Sequence, residues 1–431
     1  MTRRAAIPFL SLVCCTALLW GTWRFTQAPP VVSERAEVDA FRAELPLRVE
    51  VRMRSPKYRQ EPQIRVGLKE QPATTLSLEI QGGYRIQALD GGGVLQRGKS
   101  LAATKVTASK TGLMIGAKTL SAPAVEIIPE RSPAVWVDGH QYRGSIRLYR
   151  REGTKVLPVN VLPLEQYIAS VIDSEMPAAF PEEARRAQAI VARTYALYQK
   201  EQAPRAAVTD LFASTRSQKY LGFQYRDGQG RLLAGESEAS RATAKATRGL
   251  VGTHRGELFC TYYCAVCGGR TVEGTQIFSD AAPPLKSVAC DWCKEARLYR
   301  WQAEISKRDA QKPLQSALAK DGKKLGTLKG VAAAKKGETG AGAFYQVKDD
   351  KQSLSLSGAA VRQALGSQGL YSPTFTVEDR GQHLVFSGRG HGHGVGLCQW
   401  GARGLAQEGR TADQIFAHYY RGAAITELGY R

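Results

Sequence analysis

Pro163-Leu-Glu-Gln-Tyr-Ile-Ala-Ser-Val-Ile-Asp-Ser-Glu-Met-Pro177 and Pro181-Glu-Glu-Ala-Arg-Arg-Ala-Gln-Ala-Ile-Val-Ala-Arg-Thr-Tyr-Ala-Leu-Tyr-Gln199 mark where this chain changes texture. Helix takes over at Pro163. In the second segment Pro181, Glu182 and Glu183 fill the first turn, where a fixed φ and negative charge both suit a helix N-terminus. Ala184, Ala187, Val191, Tyr195 and Tyr198 then recur at spacings of three and four, which predicts a helix with one core-facing stripe. Pro177 enforces an irregular point between the two segments, just after Asp173 and Glu175.

Upstream the pattern has a period of two. Leu47 to Arg52, Ile64 to Leu68, Leu76 to Ile80 and Ala124 to Ile128 alternate apolar with polar residues, and Gly82-Gly83 and Gly91-Gly92-Gly93 interrupt them. Tyr142 to Tyr149 and Lys155 to Leu162 add two more such runs. Half-buried antiparallel strands are predicted. Downstream, Ser237 to Thr247 reads as a second helix, and Phe375 to Phe386 as a hairpin around Arg380-Gly381. Residues 303–345, rich in Lys, Ala and Gly, read as exposed helix and loop. The fold class is therefore α+β. A β-rich part at 46–160 is followed by a mixed helix and strand region at 161–425.

The chain has 431 residues, 43% of them apolar and 23% charged, which suits two or three globular domains and argues against a polytopic membrane protein. Its 60 Lys and Arg against 39 Asp and Glu leave a net charge of +21. That excess points to an anionic partner: nucleic acid, a membrane face or an acidic wall polymer. Arg3 and Arg4 precede an uncharged stretch from Ala5 to Trp23, closed by Arg24. Basic residues before an apolar run mark residues 1–28 as a signal peptide or a signal-anchor, with a linker at 29–45. Export excludes nucleic acid as the partner and leaves the cell envelope, with the N-terminal segment as a membrane contact.

Six of the eight cysteines follow that segment and would meet an oxidising compartment. Cys264-Ala-Val-Cys267 and Cys290-Asp-Trp-Cys293 form two Cys-x-x-Cys pairs. Two such knuckles can close a tetrahedral four-sulfur zinc site, which would be structural; two disulfides are the alternative. Cys260 is a spare thiol, and Cys398 reads as a small buried residue. Gly390-His391-Gly-His393-Gly-Val-Gly396 places two histidines on one face of a strand, with glycines that admit a close neighbour. Metal binding, catalysis and a tight turn are all open there. On these residues alone, Glu175 reads as a solvated loop acid.

A family resemblance bears on each of these. Leu164 to Pro177, Ala184 to Ala196, Cys267-Gly-Gly-Arg-Thr271 and Gly392 to Ala402 closely resemble the SpoIID/LytB family, in order, from about residue 62 to 425. Tyr419-Tyr420-Arg-Gly422 is similar to that family's closing Tyr-Tyr-Pro-Gly, with Arg421 in place of proline. Cys264 stands where relatives often carry histidine, a departure that bears on the ligand set. The resemblance implies a peptidoglycan lytic transglycosylase that cuts between N-acetylmuramic acid and N-acetylglucosamine, or else a non-catalytic enhancer of an N-acetylmuramoyl-L-alanine amidase. It implies zinc near the Cys-Gly-Gly-x-Thr segment, and makes Glu175, in Glu-Met-Pro, the catalytic acid. Gln188 and Arg193 on the following helix, Gln218 and Tyr220 in Ser217-Gln-Lys-Tyr220, and His393 and Gln399 near the C-terminus are the implied glycan-binding residues. The partners expected are glycan strands, possessing hydroxyls for the amides and pyranose faces for the aromatics, and another cell-wall hydrolase.

Overall fold

A computed structural model describes residues 58–335, 340 and 342–430. The export segment 1–28, the linker 29–45 and the expected strand from Leu47 to Arg52 lie outside the described residues. Among the described residues no helix is long and apolar enough to cross a membrane.

The alternating runs build two sheets. One has seven strands, in the order Leu211–Phe212, Gln63–Gly67, Lys155–Pro163, Ser145–Arg151, Ala124–Pro129, Tyr84–Ala88 and Val94–Gly98. The other has eight, in the order Leu232–Ala234, Gln224–Arg226, His140–Tyr142, Val135–Val137, Leu76–Ile80, Leu101–Ala108, Leu113–Ile115 and Lys118–Leu120. Ile64, Ile86 and Val125 from the first meet Leu78, Ile80 and Val106 from the second in one core, the arrangement that period-two strands need to bury one face. The run from Tyr142 to Tyr149, expected as one strand, is divided between the two sheets. Gly144 makes the break at φ +72°, where a Cβ would come within 2.1 Å of the Val161 carbonyl oxygen.

Two helices follow as expected: α1 (Leu164–Glu175) and α2 (Glu182–Gln202). The single stripe predicted for α2 understates its burial, because cores cover both of its sides. Ala189, Ala192, Ala196 and Leu197 join the sheet core. Ala184, Ala187, Ile190 and Val191 face a second core containing Phe259, Val288, Leu397 and Phe416. Its alanines let both layers approach closely, and its buried polar residues, among them Gln188, Arg193 and Thr194, lie between the two. Helix α3 (Glu238–Ala246) is capped by a reciprocal Ser237–Ser240 box.

Residues 300–389 fold around a third core. A sheet of Arg300–Ser306, His383–Arg389 and Phe375–Arg380 and a meander of Gly330–Ala333, Phe344–Lys348 and Ser353–Ser357 pack with α4 (Lys307–Ala319) and α5 (Gly358–Leu365). The hairpin at Arg380-Gly381 is present, with Arg380 opposite His383. The reading of 303–345 as exposed helix and loop is corrected here. Ala310, Leu314 and Leu318 recur every four residues along α4 and are buried, while Lys312 and Lys320 face outward. The chain returns to the second core through α6 (Gln399–Gln407) and α7 (Ala412–Tyr419), and Ala424–Glu427 closes against Leu250–His254.

Candidate functional site

Glu175 is the last residue of α1; the Met176 N–H still bonds to the Ile172 carbonyl, and Pro177 prevents the helix from continuing. The carboxylate therefore projects from a helix end into a cleft of about 600 Å³. Its Oε1 accepts a 2.5 Å hydrogen bond from the Lys219 backbone N–H. Burial raises the Glu175 carboxyl above its ordinary range, against the opposing pull of that N–H, the Tyr263 hydroxyl, the Lys219 charge and the Gln399 amide. Glu175 is the one carboxylate lining the cleft among the described residues. Asp173, two residues earlier, is committed elsewhere: it pairs with Arg185 at 2.7 Å and accepts the Ser237 N–H.

The raised acid has a consequence for stability. A carboxyl whose folded pKa exceeds its unfolded one contributes fully below the unfolded value and loses that contribution as pH rises through the folded value. Glu175→Gln is therefore expected to raise Tm at pH 7, with the gap to wild type closing as pH falls below about 4. Parallel thermal melts across that range check it; equal Tm values at pH 7 would contradict the burial described here.

Behind Glu175 runs a chain of hydroxyls and amides. The Tyr167 hydroxyl donates to Gln218 Oε1 at 3.1 Å, and Gln218 Nε2 donates to the Tyr263 hydroxyl at 3.2 Å. Gln218 thus acts on the acid through Tyr263, a residue that sequence reasoning missed although it lies beside Cys264. Gln399 reaches Glu175 from the start of α6, and Gln188 stands behind it, 3.5 Å from the Gln399 Nε2. The wall opposite is aromatic. Tyr262 and Phe278 stack at 3.6 Å and 3°, and the Tyr262 hydroxyl donates to Asp280.

His393 and His391 both line the cleft. The histidines do not lie on a strand, as expected; Gly390, Gly392, Gly394 and Gly396 all have positive φ, so the segment is a glycine-threaded loop. The close approach those glycines suggested is real: a Cβ on Gly396 would stand 1.9 Å from the Tyr262 carbonyl oxygen. Burial brings the His393 imidazole down to about 4, so it is neutral at pH 7. Its Nδ1 accepts the Val395 N–H at 3.0 Å, while the ring also bonds to the Tyr263 backbone.

Four expected glycan contacts do not line the cleft: Gln188 and Gln218 are fully buried behind the acid, and Tyr220 and Arg193 lie elsewhere. The Tyr220 hydroxyl donates to Asn160 Oδ1 at 2.7 Å in the sheet core. Arg193 is fully buried in α2 and holds Glu165 with two bonds, Nε to Oε1 at 3.0 Å and Nη2 to Oε2 at 2.7 Å. Burial acts to raise Glu165; the charge and hydrogen bonds of Arg193, with those of Tyr430 and the Gly249 N–H, outweigh it and bring the carboxyl below its ordinary value. Arg193→Ala strands a buried carboxylate and is expected to cost roughly 3–5 kcal/mol of unfolding free energy. Denaturant titration checks this, and a loss under 1 kcal/mol would contradict it.

Four buried sulfurs form a second cluster beneath α6. Cys267, Cys290, Cys293 and Cys398 place their Sγ atoms within 4.8 Å of one another, with Cys267 and Cys293 at 3.7 Å, and all six described cysteines are free thiols. Cys398 takes the place expected for Cys264. Tyr263–Cys264 pairs in parallel with Leu397–Cys398; Cys264 touches Cys398 but lines the cleft and falls outside the set of four mutually close sulfurs. The two thiols of Cys264-Ala-Val-Cys267 consequently do not share a turn, whereas Cys290 and Cys293 bracket a 3₁₀ turn as the spacing predicts. The Cys398 Sγ also accepts backbone N–H groups from Cys267 and Gly401, each at 3.3 Å. Such donors stabilise negative sulfur. Burial pushes the Cys267 and Cys398 thiols up, while bonds from its three neighbours pull Cys293 down. A buried, hydrogen-bonded set of four sulfurs is a donor set fit for one soft dication. Cys260 is outside it, buried beside Gln199.

The fold and these two clusters define a class: an α+β protein with a lone, partly buried carboxylate in an aromatic and amide-lined cleft, braced by a four-cysteine knuckle. The profile described as Stage II sporulation protein matches residues 152–254, and a domain of unknown function matches residues 289–396. Stage II sporulation protein D of Bacillus subtilis is 31% identical over 293 residues, covering 66% of this chain and 79% of that protein. An uncharacterized protein of Brachyspira hyodysenteriae is 29% identical over 301 residues, 70% of this chain and 76% of its own length. The amidase enhancer of Bacillus subtilis is 26% identical over 351 residues, which span 70% of this chain and 47% of the enhancer. The chain belongs to the SpoIID/LytB family.

Proposed function

We propose that this protein is a peptidoglycan lytic transglycosylase working outside the cytoplasm, with Glu175 as general acid and then general base. The observation that carries the reading is that, among the described residues, one carboxylate lines the cleft and its pKa is raised. Breaking the bond between N-acetylmuramic acid and N-acetylglucosamine requires a proton on the departing oxygen while positive charge grows on the muramic ring. A carboxyl whose pKa is raised by burial is suited to supply it. The 6-hydroxyl of the same muramic residue then attacks C1, Glu175 recovers that hydroxyl's proton, and a 1,6-anhydro end forms without water. One carboxylate serves both halves, which agrees with Asp173 being tied to Arg185. The Lys219 N–H, Tyr263 and Gln399 orient the acid; Tyr262 and Phe278 offer stacking faces to a sugar.

Zinc is the metal we assign to Cys267, Cys290, Cys293 and Cys398. When bound it would act as a structural crosslink, since four thiolates leave no open position for water. The N-terminal segment and the positive charge would hold the protein at the membrane or wall.

The similarity to an amidase enhancer favours a second reading, in which the same cleft binds glycan and the protein stimulates a partner hydrolase. Purified protein incubated with peptidoglycan separates the two. Mass spectrometry is expected to find anhydro-muramic ends; their absence, together with acceleration of an added amidase, would favour the enhancer.

A further inference from the structure

We propose that Arg362, carried by the subdomain at 300–389, is the carboxylate-binding residue of the cleft, taking a free carboxylate of the glycan strand. The inference rests on the glycan reading above for the identity of its ligand. Arg362 lies on α5 and lines the same cleft as Glu175, although the two come from different cores. Among the described residues it has no ion-pair partner, and its Nε is buried with no hydrogen-bond partner. Arg362 is half-buried, and a guanidinium whose Nε is shut off from water with no acceptor is costly; such groups are normally paired. Burial accordingly lowers its pKa, and no acid among the described residues acts against that.

The rest of the cleft leaves that role to Arg362. Glu175 is held by Lys219, Tyr263 and Gln399, so it does not supply the missing anion. His391 and His393 are both depressed, by burial first and by the Arg362 charge as well, and neither adds an anion to the cleft. Arg216, the other guanidinium of the cleft, lies over the Phe212 ring at 4.5 Å. A planar fork with free donors in a partly dry cleft suits a carboxylate, which it can hold with two parallel bonds. Glycan strands offer that group in two places: the lactyl substituent of muramic acid once its peptide is removed, and the stem peptide while it is present. The subdomain would then decide which strands dock, while Glu175 cuts them.

The test is binding, with turnover stopped by Glu175→Gln in the full chain. The probes are peptide-free glycan, the same glycan with its lactyl carboxylates converted to methylamides, stem-bearing strands, and stem-bearing strands with amidated stems. Glu175→Gln protein is expected to bind one free-carboxylate probe about 10- to 100-fold more tightly than its amidated counterpart. Which pair shows the contrast assigns the source, lactyl or stem. Adding Arg362→Gln is expected to abolish the contrast, and Arg362→Lys to restore part of it, with neither variant melting below the Glu175→Gln parent. If the contrast survives Arg362→Gln, or neither pair shows one, the inference is overturned. A wild type that makes no anhydro ends would end the transglycosylase reading but leave this contrast measurable.

Discussion

Cys398→Ser is expected to empty the metal site and lower Tm by on the order of 10 °C, whereas Cys264→Ser leaves the metal in place. The contrast follows from where the two sulfurs lie. Cys398 is within 4.8 Å of three other buried thiols, and two backbone N–H groups point at it. Cys264 adjoins it across a strand pair but lines the cleft. A bound metal would crosslink three segments that already meet there: the strand end at Cys267, the 3₁₀ turn at Cys290 to Cys293, and the start of α6. Gly401 shows how tightly they converge, since a Cβ there would meet the Tyr419 hydroxyl at 2.0 Å and the Cys290 sulfur at 2.5 Å. Elemental analysis beside thermal melts checks the prediction. Full metal content in Cys398→Ser, or its loss in Cys264→Ser, would contradict the assignment. Two disulfides would instead appear as fewer than six reactive thiols in denatured, unreduced, metal-stripped mature protein.

The second large effect is on rate. Glu175→Gln keeps the shape of the side chain and can still accept the Lys219 N–H, but it has no proton to donate or recover. A positioned acid or base is worth about 100- to 10,000-fold, and here one group does both jobs. A loss at or beyond the upper end of that range is expected, with glycan binding retained. Tyr263→Phe removes one bond from the acid and should act more mildly, because Gln399 and the Lys219 N–H remain.

Much of this architecture was legible in the sequence. Period-two runs predicted the sheets, and the Ala184 stripe predicted α2. What the stripe concealed was the second core, because alanine serves either face of a helix without declaring which. The hairpin at Arg380-Gly381 declared itself, yet the three-sided core around it did not. Leu314 and Leu318 are sparse among lysines, and their spacing of four is outweighed by composition. For the site, Glu175, Gln399 and His393 do converge. Arg193 and Tyr220 fail as contacts since a polar residue in a motif can be there for a buried partner, as Glu165 and Asn160 show. The exchange of Cys264 for Cys398 was hidden because Cys-x-x-Cys spacing describes a turn, and residues 264–267 leave a strand instead. Nothing local singled out Arg362; its meaning depends on a cleft whose opposite wall is nearly 190 residues away in sequence.

In the proposed reaction Glu175 is the sole acid and base, and water is not the nucleophile. The most direct measurement is mass spectrometry of products from peptidoglycan, with and without its peptides, digested by wild type and by Glu175→Gln side by side. Wild type is expected to leave 1,6-anhydro-muramic ends and the variant none. Products carrying only reducing ends, anhydro ends that persist in Glu175→Gln, or no glycan cleavage on either substrate would contradict it.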